Sequence, residues 1–128
     1  MEQVTTVCKM LSDPIRLRII QALSISDLCV CELSDALQIG QSTLSNHLAT
    51  LRHTGLVRTQ RDGAWVYYQV APNYSKQMSD LTRVLAEMGG DCETSRADQE
   101  RVKKRLALRV NGKCARSYGQ LQEETSTK

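Results

Sequence analysis

Cys29-Val30-Cys31 sets two thiols two residues apart. Thiolates are soft donors, and they choose thiophilic ions over magnesium or calcium. The same pair can also be oxidised, or can pack as small apolar side chains. The chain holds five cysteines, Cys8, Cys29, Cys31, Cys92 and Cys114. Nothing at the N-terminus resembles a signal peptide and no apolar run approaches a membrane span. A cytoplasmic protein without a membrane partner is expected, and there free thiols serve metal or redox chemistry more often than disulfides. Residues i and i+2 of a regular helix point to different sides. An ion shared by Cys29 and Cys31 is therefore expected to bend or unwind the helix end that carries them, which would make a physical switch.

Other chemistries find little support. The sequence has no thioredoxin-like βαβ order, no paired acid and base, no phosphate loop and no nucleophile elbow. It is read as a protein that is not an enzyme.

The elements that position the thiols follow from periodicity. Val4, Val7, Cys8 and Leu11 form an amphipathic stripe, so the chain is expected to open with a helix that holds Cys8 in the core. Asp13 and Pro14 suit the start of a second helix burying Ile15, Ile19, Ala22 and Leu23. Ser26 and Asp27 offer the cap of a third, with Val30, Leu33, Ala36 and Leu37 as its stripe. After Ile39-Gly40, a fourth helix runs from about Gln41 to Thr54 and buries Leu44, Leu48 and Leu51. Gly55 and Leu56 fit a glycine C-cap. Two strand patterns, near 56–60 and 64–70, flank Asp62-Gly63 as a hairpin turn. A fifth helix spans about Pro72–Met88, with Met78, Leu81, Val84, Leu85 and Met88 on one side. Arg96 to Val110 reads as a basic helix, and beyond Ser117 the chain reads as a polar, disordered tail. The organisation expected is one compact unit over 1–90, followed by a basic C-terminal helix and tail over 91–128.

A short helix, a tight turn and a longer helix with a small polar face meet the needs of major-groove insertion. Gln41, Ser42, Thr43, Ser45, Asn46 and His47 are the candidate DNA contacts. Gln and Asn bond base edges in pairs, and Ser and Thr hold phosphates. Arg52, Arg58 and Arg61 concentrate positive charge in this helix and the hairpin behind it. The net charge of +3 alone says little, because residues 1–90 balance eight basic against eight acidic side chains. Local patches matter more for phosphate binding than the total.

Five stretches now occur in order: Leu11 to Ile19, Leu28-Cys29-Val30-Cys31-Glu32-Leu33, Gln41 to Leu48, Leu51 to Val57, and Arg61 to Tyr68. Together they resemble the winged helix-turn-helix of the ArsR/SmtB metalloregulatory repressors. The resemblance covers most of 1–90. It departs at Gln38, where Gly is common in the family, and at Gly40, where a capping Ser often stands. It implies a mainly α fold with a small β-hairpin and a helical dimer interface made by the first and fifth helices. It further implies a homodimeric repressor that binds double-stranded operator DNA and needs no obligatory cofactor. Release would follow when trivalent arsenic or antimony, As(III) or Sb(III), meets Cys29 and Cys31. In the arsenic-responsive branch a third thiol lies one turn on, but here that position is Ser34. Either two thiols suffice, or a third ligand comes from Cys114 or Cys92, both expected in flexible segments and either from the same chain or from the partner. Sensing of cadmium, lead or zinc, or of thiol oxidation, is the alternative. Zinc sensors of this family use Asp and His of the fifth helix, and residues 72–90 hold Asp80 and Glu87 but no His.

Overall fold

In a computed structural model, which describes residues 1–89 and 92–114, the chain forms six helices and three strands. They run α1 (Glu2–Leu11), α2 (Pro14–Ile25), β1 (Leu28–Cys29), α3 (Val30–Leu37), α4 (Gln41–His53), β2 (Val57–Asp62), β3 (Trp65–Val70), α5 (Ser75–Gly89) and α6 (Glu93–Leu106), with a 3-10 turn at Pro72–Tyr74 before α5. The architecture is the expected one, mainly helical with a small β-hairpin behind a helix-turn-helix. The tail expected beyond Ser117 lies outside the described residues.

Local chemistry sets the helix ends. Asp13 Oδ1 accepts from the backbone N–H of Ile15 at 2.8 Å and of Arg16 at 3.1 Å, and Pro14 takes the first position of α2. Arg16 in turn donates to the carbonyls of Met10 and Lys9, closing the end of α1. The turn between α3 and α4 holds Gln38 in the left-handed region, with φ 57°. Glycine adopts that conformation without strain, which explains its frequency at this position in the resembled family.

The core gathers Ile19, Ile20 and Leu23 from α2, Leu33 and Leu37 from α3, Leu44, Leu48 and Leu51 from α4, Leu56 and Val57, and Val102 from α6. Each such side chain contributes roughly 1.5–3 kcal/mol by leaving water. Val102 welds α6 to the helix-turn-helix, and ion pairs reinforce the joint. Arg18 of α2 grips Asp98 of α6 through two bonds of 2.7 and 2.8 Å and donates to the Leu37 carbonyl at 2.7 Å. Arg101 of α6 bonds Asp98 and the Ala36 carbonyl. Two guanidiniums thus satisfy carbonyls at the C-terminal end of α3 that the helix itself leaves open.

Several expectations need correction. The third helix is capped by Cys29, not by Ser26 or Asp27, because Leu28 and Cys29 pair with β3 first. The sheet therefore has three antiparallel strands in the order β1-β3-β2, with Cys29 opposite Tyr67. The hairpin turns at Gly63-Ala64, since Asp62 already pairs with Trp65. Gly63 supplies the positive φ, 62°. Cys8 is exposed rather than core, because the face of α1 that carries it looks into an open groove. The basic helix ends at Leu106, and Val110 is exposed. Among the described residues, no helix is long and apolar enough to cross a membrane.

Candidate metal centre and nucleic-acid interface

Cys29 is the N-cap of α3, with φ −84° and ψ 167°. That extended backbone removes the obstacle expected from a regular helix. The side chain of the cap folds back over the first turn, and Cys31 lies in that turn. Their Sγ atoms stand 3.0 Å apart without any unwinding. A capping box holds the arrangement: the Cys29 side chain takes the place usual for Ser or Thr, and Glu32 Oε1 accepts from the Cys29 N–H at 3.0 Å.

The third sulfur comes from the far end of the described chain. Cys114 is 1% exposed, and its Sγ lies 3.5 Å from that of Cys31. The three ligand atoms all lie within 4.8 Å of one another, and all three residues are buried. A tight turn delivers Cys114: Val110 and Lys113 bridge each other, with Asn111 and Gly112 at φ 55° and 75°. Asn-Gly is a strong signal for such a turn, and it marks the segment, expected to be flexible, as ordered. The Cys114 N–H donates to the Tyr67 hydroxyl at 2.7 Å, tying the turn to β3. Cys92 is exposed at the N-cap of α6 and stands outside this cluster. Ser34 is buried but donates to the Ile39 carbonyl at 2.7 Å, within the helix-turn-helix.

Charged groups that sequence patterns did not single out surround the sulfurs. Glu32 is fully buried, and Arg109 binds its carboxylate through two bonds of 2.8 Å. Arg109 also donates to the Asp27 carbonyl at 2.6 Å and lies over the Tyr67 ring, 5.2 Å from its centroid. Arg105, itself 2% exposed, places Nε 3.1 Å from Asp35 Oδ2 and Nη2 3.9 Å from Cys114 Sγ. These interactions join residues far apart in sequence, so no local pattern announced them.

The thiols differ in proton affinity. The hydrogen bond from Cys29 lowers Cys31 to about 6, against the opposing effect of burial and with help from Cys114 and Arg105. The same bond, with burial, pushes Cys29 up, and burial pushes Cys114 up. Of the three thiols, Cys31 gives up its proton most readily. Burial works to raise the Glu32 carboxyl, but Arg109 and the Cys29 N–H outweigh it and hold it below the usual range. Three sulfurs in one buried cluster, with neither His nor carboxylate among the clustered ligand atoms, fit a soft thiophilic ion. An open polar cleft of about 440 Å³ between the hairpin and the 109–112 segment shares Tyr67 and Arg109 with this site.

In the helix-turn-helix, Gln41, Ser42, Thr43, Ser45 and Asn46 are exposed on α4, and His47 is half-buried. Arg52, Arg58 and Arg61 are exposed. Arg58 is also anchored: it donates to Gln69, whose side chain donates to Asp27 at 2.8 Å.

A family model for bacterial regulatory proteins of the arsR family matches residues 13–59. The arsenic resistance transcriptional regulator ArsR2 of Pseudomonas putida is 40% identical over 82 residues, covering 63% of this chain and 71% of that protein. This chain belongs to the arsR family. Family members are DNA-binding regulators, so the chain is a transcriptional repressor and not an enzyme. A cadmium resistance transcriptional regulatory protein homologue of Staphylococcus aureus is 34% identical over 76 residues, covering 59% of this chain and 63% of that one. Among solved structures, the homodimeric winged helix-turn-helix DNA-binding domain of a Mycobacterium bovis protein has a TM-score of 0.60 at 30% identity. That likeness covers 69% of this chain and 82% of that one. The arsR family match contains Cys29 and Cys31 and ends before Cys114.

Proposed function

We propose that this chain is a homodimeric repressor whose hold on an inverted-repeat operator is released when trivalent arsenic or antimony binds Cys29, Cys31 and Cys114. The observation that carries the reading is the convergence of three buried sulfurs within 4.8 Å in one chain. The arsenic resistance of the Pseudomonas putida relative supports it. Gln41, Ser42, Thr43, Ser45, Asn46 and His47 read or anchor one half-site, and Arg52, Arg58 and Arg61 hold the backbone. The second copy covers the apolar groove between α1 and α5, where Val4, Val7, Cys8, Tyr74, Met78 and Leu81 leave about 300 Å³ open. Inducer closing the three sulfurs draws the first turn of α3 toward the 109–114 segment and shifts α4 behind it. Thiolate coordination has the strength to drive such a shift, since it supplies most of the folding energy of small metal domains.

A second reading keeps the repressor and changes the signal. The 3.0 Å approach of Cys29 and Cys31 favours thiol oxidation, and the Staphylococcus aureus relative favours cadmium, with lead or zinc beside it. Operator binding followed by fluorescence anisotropy, titrated with arsenite under reductant, separates these readings. Release of wild type but not of Cys29→Ser/Cys31→Ser is expected. If neither protein releases while both bind DNA, arsenic is the wrong signal, and cadmium, lead and peroxide are titrated next. Ser42→Ala and Asn46→Ala should each weaken specific binding by about 1–3 kcal/mol for every base the side chain no longer bonds. Unchanged affinity would remove α4 as the reading helix.

A further inference from the structure

We propose that the buried Glu32–Arg109 ion pair, with Asp35–Arg105 beside it, selects the charge of the ion that the three sulfurs accept, favouring a trivalent metalloid over a divalent cation. The inference rests on Cys29, Cys31 and Cys114 being the ligands.

The pairs lie against the sulfurs. Glu32 Oε1 is 3.4 Å from Cys29 Sγ, and Arg105 Nη2 is 3.9 Å from Cys114 Sγ. Each guanidinium is matched by a carboxylate, at 2.8 Å for Arg109 and 3.1 Å for Arg105. Within these two pairs the fixed charges cancel, and the charge of the complex decides what can be buried beside them. With neutral arsenic trihydroxide, three S–As bonds form and three As–O bonds break. The oxygens leave as three waters, carrying the thiol protons and, for a sulfur already ionised, one proton from solvent. The product is neutral. A divalent ion forms three S–metal bonds, sheds its waters and the remaining thiol protons, and leaves one negative charge. An uncompensated charge in a buried pocket is costly.

Glu32→Gln weakens this preference. The amide oxygen still accepts from the Cys29 N–H, so the cap of α3 keeps its bond, but Arg109 is left with an unmatched positive charge. That charge offsets the divalent complex. The ratio of cadmium to arsenite affinity should rise roughly ten- to a hundredfold. Glu32→Gln/Arg109→Met removes both charges and should return the ratio to the wild-type value. A purely structural role for the pair would leave the double variant as displaced as the single one.

The experiment uses the full chain with a phosphine reductant. Cadmium affinity is read by competition with a chromophoric chelator and by cadmium–thiolate absorbance, and arsenite affinity by Trp65 emission. Circular dichroism checks folding. A ratio that rises in Glu32→Gln and returns in the double variant supports the selector. An unchanged ratio overturns it. A falling ratio overturns it as well, by making the Glu32 carboxylate a ligand of the divalent ion. Should Glu32→Gln fail to fold, Asp35→Asn makes the same test through Arg105. Asp35 is 36% exposed, so a rise of smaller size is expected there, and none overturns the inference. Wild-type affinities that do not change in Cys114→Ser would instead overturn the ligand assignment, and the selector with it.

Discussion

Cys31 and Cys114 hold their sulfurs 3.5 Å apart although 83 residues separate them in sequence. This approach makes the turn after α6 part of the proposed sensing site, and it is the strongest discriminator among the five cysteines. Cys114→Ser should weaken arsenite binding by at least the roughly 10–100-fold that loss of an outer-shell partner costs a metal site. Cys92→Ser and Cys8→Ser, both exposed positions, should leave it unchanged. Arsenite titration of the three single variants checks this, and sensitivity at Cys92 in place of Cys114 would refute the ligand set.

Trp65 is the only tryptophan and packs against the cluster formed by Cys29, Cys31, Tyr67 and Cys114. Its emission should therefore change on arsenite addition and saturate at one equivalent per chain. Cys29→Ser/Cys31→Ser should show no change. A response that persists in that variant would place the ion elsewhere.

Glu32 gives a pH dependence of known sign. Its carboxyl is held below the unfolded value of 4.5, so it contributes stability that is fully present above that value and is lost as pH falls through the folded one. Wild type should be more stable than Glu32→Gln near neutrality, and the gap should shrink progressively below about pH 4.5. Urea unfolding of both proteins across this range measures the gap. A gap that stays constant into acid would mean that the carboxylate charge contributes nothing.

Val4 and Val84 are large apolar side chains exposed at 60% and 44% on α1 and α5. If the α1 and α5 faces meet in a dimer, Val84→Arg should give a monomer by sedimentation and weaken operator binding, while the thermal stability of the monomer changes little. A dimer that survives this substitution would exclude the face.

How much of this was legible in the sequence depends on how local each signal was. The helices, the hairpin and the polar face of α4 follow from periodicities that a short window contains. The thiol pair was legible too, but its geometry was not. A regular helix separates residues i and i+2, and only the pairing of Leu28 and Cys29 with β3 moves Cys29 out of the helix and into the cap. The Cys29-to-Glu32 spacing of a capping box was the available hint, disguised by sulfur in place of a hydroxyl. Cys114 was a candidate without a location. Its place depends on Val102, Asp98 and Arg109 docking α6 against distant elements, which no short window encodes. The apolar stripe of α1 shows the converse limit, since periodicity marks a face as apolar without saying what covers it.

The contacts that α6 and the turn beyond it make with both ends of α3 have a consequence for how such regulators diversify. Arg101 reaches one end of α3, and Arg109 and Cys114 reach the other, yet none of the three lies in α4, the proposed DNA-reading helix. Cys29, Cys31 and Glu32 lie inside the helix-turn-helix, whereas Cys114 and Arg109 lie outside the family match over residues 13–59. On the proposed ligand set, rewriting a few positions after residue 105 would change the donors around the ion without touching the exposed face of α4, so one DNA-reading head could be inherited intact by descendants that answer to different poisons.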